Sequence, residues 1–100
     1  MIEITIVCWR DIPAQIIAGR GRKAIKVQLS DKFEKAIDRC AMKTGMKDSE
    51  AYLSEWNKST IKIDSNSDLE AVEEERKTLE EKFDTDTLKA YIDNGGWIPQ

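Results

Sequence analysis

The fold is decided by residues 9–45, which read WRDIPAQIIAGRGRKAIKVQLSDKFEKAIDRCAMKTG. This stretch contains a strand end, a proline turn, a basic glycine loop, another strand and the most regular amphipathic helix of the chain. Pro13 removes an amide donor and favours extended geometry at Ile12, so we expect a turn between two strands here. Gly19 and Gly21 permit the left-handed backbone angles of a hairpin loop.

Three strands are predicted around these two turns. Apolar and polar residues alternate over residues 2–8, then over a short segment at 14–18, and again over 24–29. On the first strand the isoleucines are expected to face the core, and Val7 and Trp9 to face outward. Because the connections are short, the three strands are predicted to form an antiparallel meander.

The best-defined helix is expected to begin after Ser30, an N-cap residue, and to end at Gly45. Its predicted core face consists of residues spaced at helical intervals, namely Phe33, Ile37, Cys40, Ala41 and Thr44. Four further elements are predicted: a short helix from Asp48 or Ser49 to Trp56, a strand at 59–64, an acidic helix capped by Ser67, and a last helix that stops at Asn94.

The predicted order is therefore βββααβαα. It indicates an α+β fold, with a four-stranded, mostly antiparallel sheet and helices packed on one face. With 100 residues the chain is expected to form a single domain over residues 1–94, followed by a loose C-terminal tail at 95–100.

The composition excludes several kinds of site. The chain has no histidine, and its two cysteines, Cys8 and Cys40, do not form a CxxC pattern. Zinc sites built on histidine or paired cysteines and Cys–His or Ser–His catalytic groups are therefore excluded. Both thiols are expected to be buried, free and close together. We predict no enzymatic activity, no metal and no cofactor.

Charge is distributed unevenly along the chain. Residues 1–29 carry a net charge of +3 and residues 64–94 a net charge of −7. The acidic segment lacks the ligand order of an EF-hand loop, and a solvated helix face is the preferred interpretation. No apolar run is long enough to span a membrane, and the N-terminus does not have the pattern of a signal peptide, so a cytoplasmic protein without membrane association is predicted.

Five residues are predicted to bind a partner. They lie on the outer sheet face and its rim: Trp9, Arg10, Arg20, Arg22 and Lys26. An exposed tryptophan beside an arginine is typical of an interface anchor. Trp9 could instead pack on the stem of Lys26 or be covered by the C-terminal helix. The glycine loop could bind phosphate through its arginines, or it could be an ordinary solvated hairpin tip.

The run from WRDIPAQ to FEKAIDRCAM, continuing to DSEAYLSEW, resembles the bacterial "virulence factor" domain family over residues 2–57. That family includes short stand-alone proteins and the domain in staphylococcal conserved virulence factor C, where it lies beside an Nfu N-terminal-like domain. The resemblance implies an association with folate- and corrinoid-dependent methyl transfer, but it supplies no catalytic residues. Cys8 stands where the family pattern has tyrosine, so any role of that phenol is not carried over.

Three functions remain open from the sequence. The first is a non-enzymatic accessory or adaptor domain that binds another protein. The second is binding of nucleic acid or a phospholigand through the basic hairpin edge, against which the net charge of −3 counts. The third is a non-catalytic subunit that completes a partner enzyme's site.

Overall fold

The computed structural model describes residues 2–19, 21–45 and 50–99. Within these ranges, four strands form one sheet and four helices accompany it. The strands are β1 (Ile2–Trp9), β2 (Ile12–Ala18), β3 (Ile25–Gln28) and β4 (Trp56–Ile63). The helices are α1 (Asp31–Lys43), α2 (Glu50–Ser54), α3 (Asp68–Lys82) and α4 (Thr85–Asp93). The predicted α+β fold and its element order are confirmed.

The sheet is antiparallel throughout, with the strand order β3-β2-β1-β4. Ile4 lies opposite Ala18 on one side and Ile61 on the other. Ile4, Ile16 and Ala18 are fully buried, because α3 packs against β1, β2 and β3 while α1 packs against β2 and α4. One face of the sheet therefore carries the core.

The helix ends follow their local chemistry. The Ser67 hydroxyl accepts a 3.1 Å hydrogen bond from the Glu70 amide, as expected for an N-cap. Gly45 follows α1 with φ +73°, a value that residues with a side chain rarely adopt. Ser30 also precedes α1, but its hydroxyl and its amide both donate to the Glu80 carboxylate, at 2.7 and 2.8 Å. Ser30 thus connects the start of α1 to α3.

Several predicted features differ from the structure. Strand β2 begins at Ile12 rather than at residue 14, so Pro13 lies within the strand and the turn consists of Arg10 and Asp11. The strand β4 begins at Trp56 rather than at residue 59, because Trp56 pairs with Trp9 at the end of β1. Helix α2 consequently ends at Ser54. Thr44 is exposed, and Ala36 takes its place on the buried face of α1. The predicted caps of α2, Asp48 and Ser49, lie outside the described residues.

The C-terminal segment is attached to the domain, in contrast to the expected loose tail. The carbonyl of Gly96 accepts a 2.9 Å hydrogen bond from the Asp11 amide, and the amide of Ile98 donates to the Asp11 carboxylate at 2.7 Å. Residues 95–98 are therefore held against the β1–β2 turn. No helix in the described part of the chain is long and apolar enough to cross a membrane.

Candidate interaction surfaces

Trp9 lies on the predicted side of β1, together with Val7, but it is buried there, so the prediction that it is exposed is wrong. Its side chain has no exposed area, and its ring lies 5.7 Å from that of Tyr52, centroid to centroid. The indole Nε1 donates a 2.9 Å hydrogen bond to the Tyr52 carbonyl. Alternation along β1 predicts only the side of the sheet that Trp9 occupies, whereas the covering residue comes from α2. Trp9 therefore cannot serve as an exposed anchor.

Arg10 is also buried, with 8% of its surface exposed. Its guanidinium lies 5.0 Å from the ring centroid of Trp9 and 5.2 Å from that of Trp97, and Nη1 donates to the Gly95 carbonyl. Its Nε lies 3.6 Å from the Glu55 carboxylate. The residue has φ +55°, an uncommon value for a residue with a side chain. Its hydrogen bonds and ring contacts are directed into the fold.

Residues 9–11 thus join three separate parts of the chain. Trp9 forms a hydrogen bond with α2. Arg10 forms an ion pair with the turn before β4 and a hydrogen bond with the turn after α4. Asp11 forms hydrogen bonds with residues 96 and 98. Glycine is required at position 96, because an added Cβ would lie 3.1 Å from Trp9 Cζ3 at φ +92°. We call residues 9–11 together with 95–98 the WRD joint. The sequence gives no local signal for it, since its partners are 43 to 87 positions apart.

The other predicted binding residues lie elsewhere. Arg22 and Lys26 are exposed, Arg22 in the 3-10 turn Gly21–Lys23 and Lys26 on β3. Strand β2 separates this hairpin from the WRD joint, a distance of about 20 Å for a seven-residue strand. Arg20 lies outside the described residues. The structure thus divides the predicted set between a buried joint and an exposed edge.

The face of the sheet opposite the core is open. In the described ranges none of its central side chains is buried, and α2 covers this side only at the Trp9 end, through Tyr52. We define the open sheet face by side chains that alternate with the buried ones, namely Glu3, Thr5, Val7, Ile17, Lys26, Lys58, Thr60 and Lys62. Val7 and Ile17 are half-buried by their neighbours, and the three lysines are exposed. The face has an apolar centre and a mostly basic periphery.

A cavity of about 260 Å³ opens on the opposite side of β1 and contains Cys8. Ile6, Leu79 and Phe83 contribute apolar walls, and Tyr91 lies on the α4 side. Burial, with a smaller effect of Asp11, raises the pKa of the Cys8 thiol to about 11. Burial likewise raises the pKa of the Tyr91 phenol, with Asp11 and Cys8 adding to the effect. Both groups stay protonated at neutral pH, so neither is activated as a nucleophile or a base.

Cys40 is fully buried beneath α4, and burial raises the pKa of its thiol. Its sulfur lies 4.0 Å from the Ile92 carbonyl. Both cysteines are free thiols, as predicted, and Cys8 is half-buried rather than fully buried. Among the described residues, no three acidic or cysteine side chains gather closely enough to hold a metal ion.

The model of the family described as "Virulence factor" matches residues 7–92. The match begins within β1 and ends within α4, so it starts five residues later than the resemblance over residues 2–57 and continues well beyond residue 57. It includes the WRDIPAQ segment, the basic hairpin and the acidic helix α3. No curated protein and no solved structure matches the chain.

Proposed function

The chain belongs to the Virulence factor family, and we propose that it is a non-enzymatic adaptor domain that binds another protein through its open sheet face. The chain contains no histidine, and the pKa of the Cys8 thiol is about 11. The chain therefore lacks the most common general base and has no thiolate nucleophile near neutral pH, which supports binding rather than catalysis.

A single observation carries this proposal: one face of the sheet is covered by helices, while the centre of the other face, around Val7 and Ile17, lies open. Along the strand register, Ile17 lies between Thr5 and Lys26, and Val7 lies beside Lys58. An apolar centre with a charged rim is the usual organisation of a protein interface. The lysines favour a partner whose contact surface is apolar at its centre and acidic at its rim.

The size of the face determines the kind of complex we expect. Four strands about 4.8 Å apart and about 13 to 26 Å long present roughly 400 Å² of sheet on this side. Stable complexes usually bury about 800 Å² on each partner, whereas transient ones bury less. The interface is therefore proposed to be transient, with the basic rim speeding association and making it sensitive to salt.

The process served is the second part of the proposal. On the association that the family resemblance implies, we propose that the partner is a protein of folate- or corrinoid-dependent methyl transfer. In that setting the domain acts as an accessory to another protein's chemistry, without contributing a catalytic group of its own. The identity of the captured partner tests the proposed process, whereas the variants test which surface binds the partner.

The experiment compares two charge-reversed variants of the tagged full chain in affinity capture from the source lysate. Lys26→Glu with Lys58→Glu changes the open sheet face. Lys77→Glu with Lys82→Glu changes exposed residues of α3, which belong to neither proposed binding surface, and serves as the control. Both double variants lower the net charge from −3 to −7, so they differ in position and not in total charge.

We expect the wild-type chain and the α3 variant to recover the same stoichiometric protein, identified by mass spectrometry, and the sheet-face variant to lose it. Equal recovery by all three proteins would contradict the proposal. Recovery of nucleic acid by the wild type, lost in the sheet-face variant, would assign the basic edge to nucleic acid instead. Because lysines on an edge strand also discourage aggregation, each protein is first checked to be equally monodisperse.

A further inference from the structure

A second surface with a different character lies on the helical layer, between α1 and α4. The two helices border a groove of about 370 Å³. Its floor is apolar and consists of Ala36 from α1 and of Leu88 and Ile92 from α4, whose side chains also complete the core. The open sheet face shares no residue with this groove. Either surface can therefore bind or fail to bind independently of the other.

The rim of the groove is strongly basic. Four cations, Lys32, Lys35, Arg39 and Lys43, line it from α1, and Lys89 lines it from α4. The α1 cations are spaced at i, i+3, i+7 and i+11, so they follow one face of the helix over about 16 Å. They form a row along the groove and do not converge on a point.

The middle of this row is not neutralised. Lys43 contacts Asp93 at 2.9 Å, and Lys32 lies 3.5 Å from the Glu80 carboxylate. Lys35 and Arg39, by contrast, form no ion pair with any other residue in the ranges 2–19, 21–45 and 50–99, and both are exposed. Two adjacent cations are therefore available to a ligand directly above the apolar floor.

We propose that this groove binds an acidic amphipathic α-helix of a partner protein. A helix laid between α1 and α4 would place apolar residues on the floor and carboxylates along the basic row, in the helix-in-groove mode. A single phosphate suits the row poorly, because phosphate sites use donors that converge on one group. A nucleic acid backbone would meet the cations but offers no apolar side chains for the floor.

The probe is a fluorescently labelled, capped peptide of about 18 residues, a length at which a helix begins to be stable. It carries leucines at i, i+4 and i+7 spacing and glutamates on both flanks of that stripe. A second peptide keeps the glutamates and replaces every leucine with glutamine. A labelled single-stranded oligonucleotide completes the set. Binding to the full chain is measured by fluorescence anisotropy at two salt concentrations.

We expect the leucine peptide to bind with a Kd below about 100 µM, which corresponds to roughly −5.5 kcal/mol. Lys35→Glu with Arg39→Glu should weaken this binding at least tenfold, and the neutral pair Lys35→Gln with Arg39→Gln should weaken it less. The sheet-face pair Lys26→Glu with Lys58→Glu, which changes the net charge equally, should leave it within about twofold, because its charges lie on another face.

Three results would overturn this inference. The first is no binding of the leucine peptide, and the second is an equal loss in the α1 and sheet-face variants. The third is equally tight binding of the glutamine peptide or of the oligonucleotide, which would reduce the groove to a nonspecific basic surface. None of these results bears on capture through the open sheet face, so the two proposals fail separately.

Discussion

The carboxylate of Asp11 accepts a 2.7 Å hydrogen bond from the backbone amide of Ile98, 87 positions later in the chain. The Asp11 amide donates in turn to the Gly96 carbonyl at 2.9 Å. This pair of hydrogen bonds closes the domain by fixing its last turn onto the first. The most recognisable segment of the sequence therefore has a structural role, and binding is proposed on surfaces away from it.

Removing the Arg10 side chain is expected to destabilise the fold. Arg10→Ala loses the hydrogen bond to Gly95, the ion pair with Glu55 and the contacts with two indole rings. We expect a loss of about 2–4 kcal/mol in the free energy of unfolding, measured by urea denaturation. This corresponds to a fall in Tm of about 10 °C or more.

Arg10→Gly separates the backbone contribution from that of the side chain. Both variants lack the guanidinium, but only glycine adopts φ +55° without a steric penalty. Arg10→Gly should therefore be more stable than Arg10→Ala by up to about 1 kcal/mol. If alanine were the more stable of the two, the left-handed backbone at this position would be contradicted.

Gly96→Ala is expected to disrupt the WRD joint. The added Cβ would lie 3.1 Å from Trp9 Cζ3 and from Arg10 Cδ, and both of these side chains are buried. We expect a loss of about 2–4 kcal/mol in urea denaturation, from overpacking added to backbone strain. Gly21→Ala is the matched control, because φ is +71° there but nothing lies within 4 Å of the added Cβ. Gly21→Ala should lower the free energy of unfolding by only about 1 kcal/mol. Equal losses in the two variants would contradict the close packing at position 96.

The contact between Ser30 and Glu80 should make stability depend on pH. Burial alone raises the pKa of Glu80, but hydrogen bonds from Ser30 and the charge of Lys32 outweigh it, so that pKa is lowered in the folded protein. A carboxylate with a lowered folded pKa contributes stability above its unfolded pKa, about 4.3, and loses that contribution as the pH falls through the folded value. Glu80→Gln should therefore cost about 1–2 kcal/mol at pH 7 and much less at pH 3.

Glu81→Gln is the control for that measurement. Glu81 is the next residue on α3 and is exposed. Its replacement should change the free energy of unfolding by less than about 0.5 kcal/mol at either pH. A loss at Glu80→Gln that stayed constant between pH 7 and pH 3 would show that the carboxylate charge is not responsible.

The thiols are expected to react slowly with iodoacetamide. With a pKa of about 11, only about a thousandth of Cys8 is thiolate at pH 8, against about a quarter of free cysteine. A thiolate of higher pKa is intrinsically more nucleophilic, and this offsets part of the rate lost through the smaller thiolate fraction. Cys8 should therefore be alkylated at least about tenfold more slowly than free cysteine. Cys40 should react only on unfolding, since it has no exposed area. Rapid labelling of one thiol per folded chain, assigned by peptide mass spectrometry, is the contrary outcome.

Periodicity predicts much of this fold because most elements carry a local signal. The alternation of β1, the apolar stripe of α1 and the Ser67 cap of α3 all lie within a few residues of the structure they specify. The start of β4, in contrast, has no such local signal in the sequence. Tyr52, Leu53 and Trp56 have helical spacing, but pairing with Trp9 across the sheet places Trp56 in a strand.

The burial of Trp9 and Arg10 was less predictable from the sequence, for a physical reason. Alternation shows which side of a strand a residue occupies, but not which distant segment covers that side. Trp9 is covered by Tyr52, which is 43 positions away, and Arg10 by the turn at Gly95, which is 85 positions away. Lys26, in contrast, is exposed and Val7 is only half-buried, and both lie on the open sheet face as predicted.

The basic groove could not be predicted from the sequence because its two walls come from separate helices, α1 and α4. The row from Lys32 to Lys43 has helical spacing and is visible in the sequence. Its apolar floor is not, because Leu88 and Ile92 belong to α4 and become the floor only when α4 packs against α1. A run of cations on one helix is otherwise the pattern of a solvated face.

The most direct test of the open sheet face uses methyl NMR of the full chain, with labelled isoleucine, leucine and valine, titrated with the purified captured partner. The account predicts that the methyl signals of Val7 and Ile17 shift or broaden, while those of core residues such as Ile4 and Ile16 stay within the range of small indirect changes. Signals of Leu88 and Ile92 report separately on the groove. Unchanged Val7 and Ile17 signals at saturating partner would contradict the central claim.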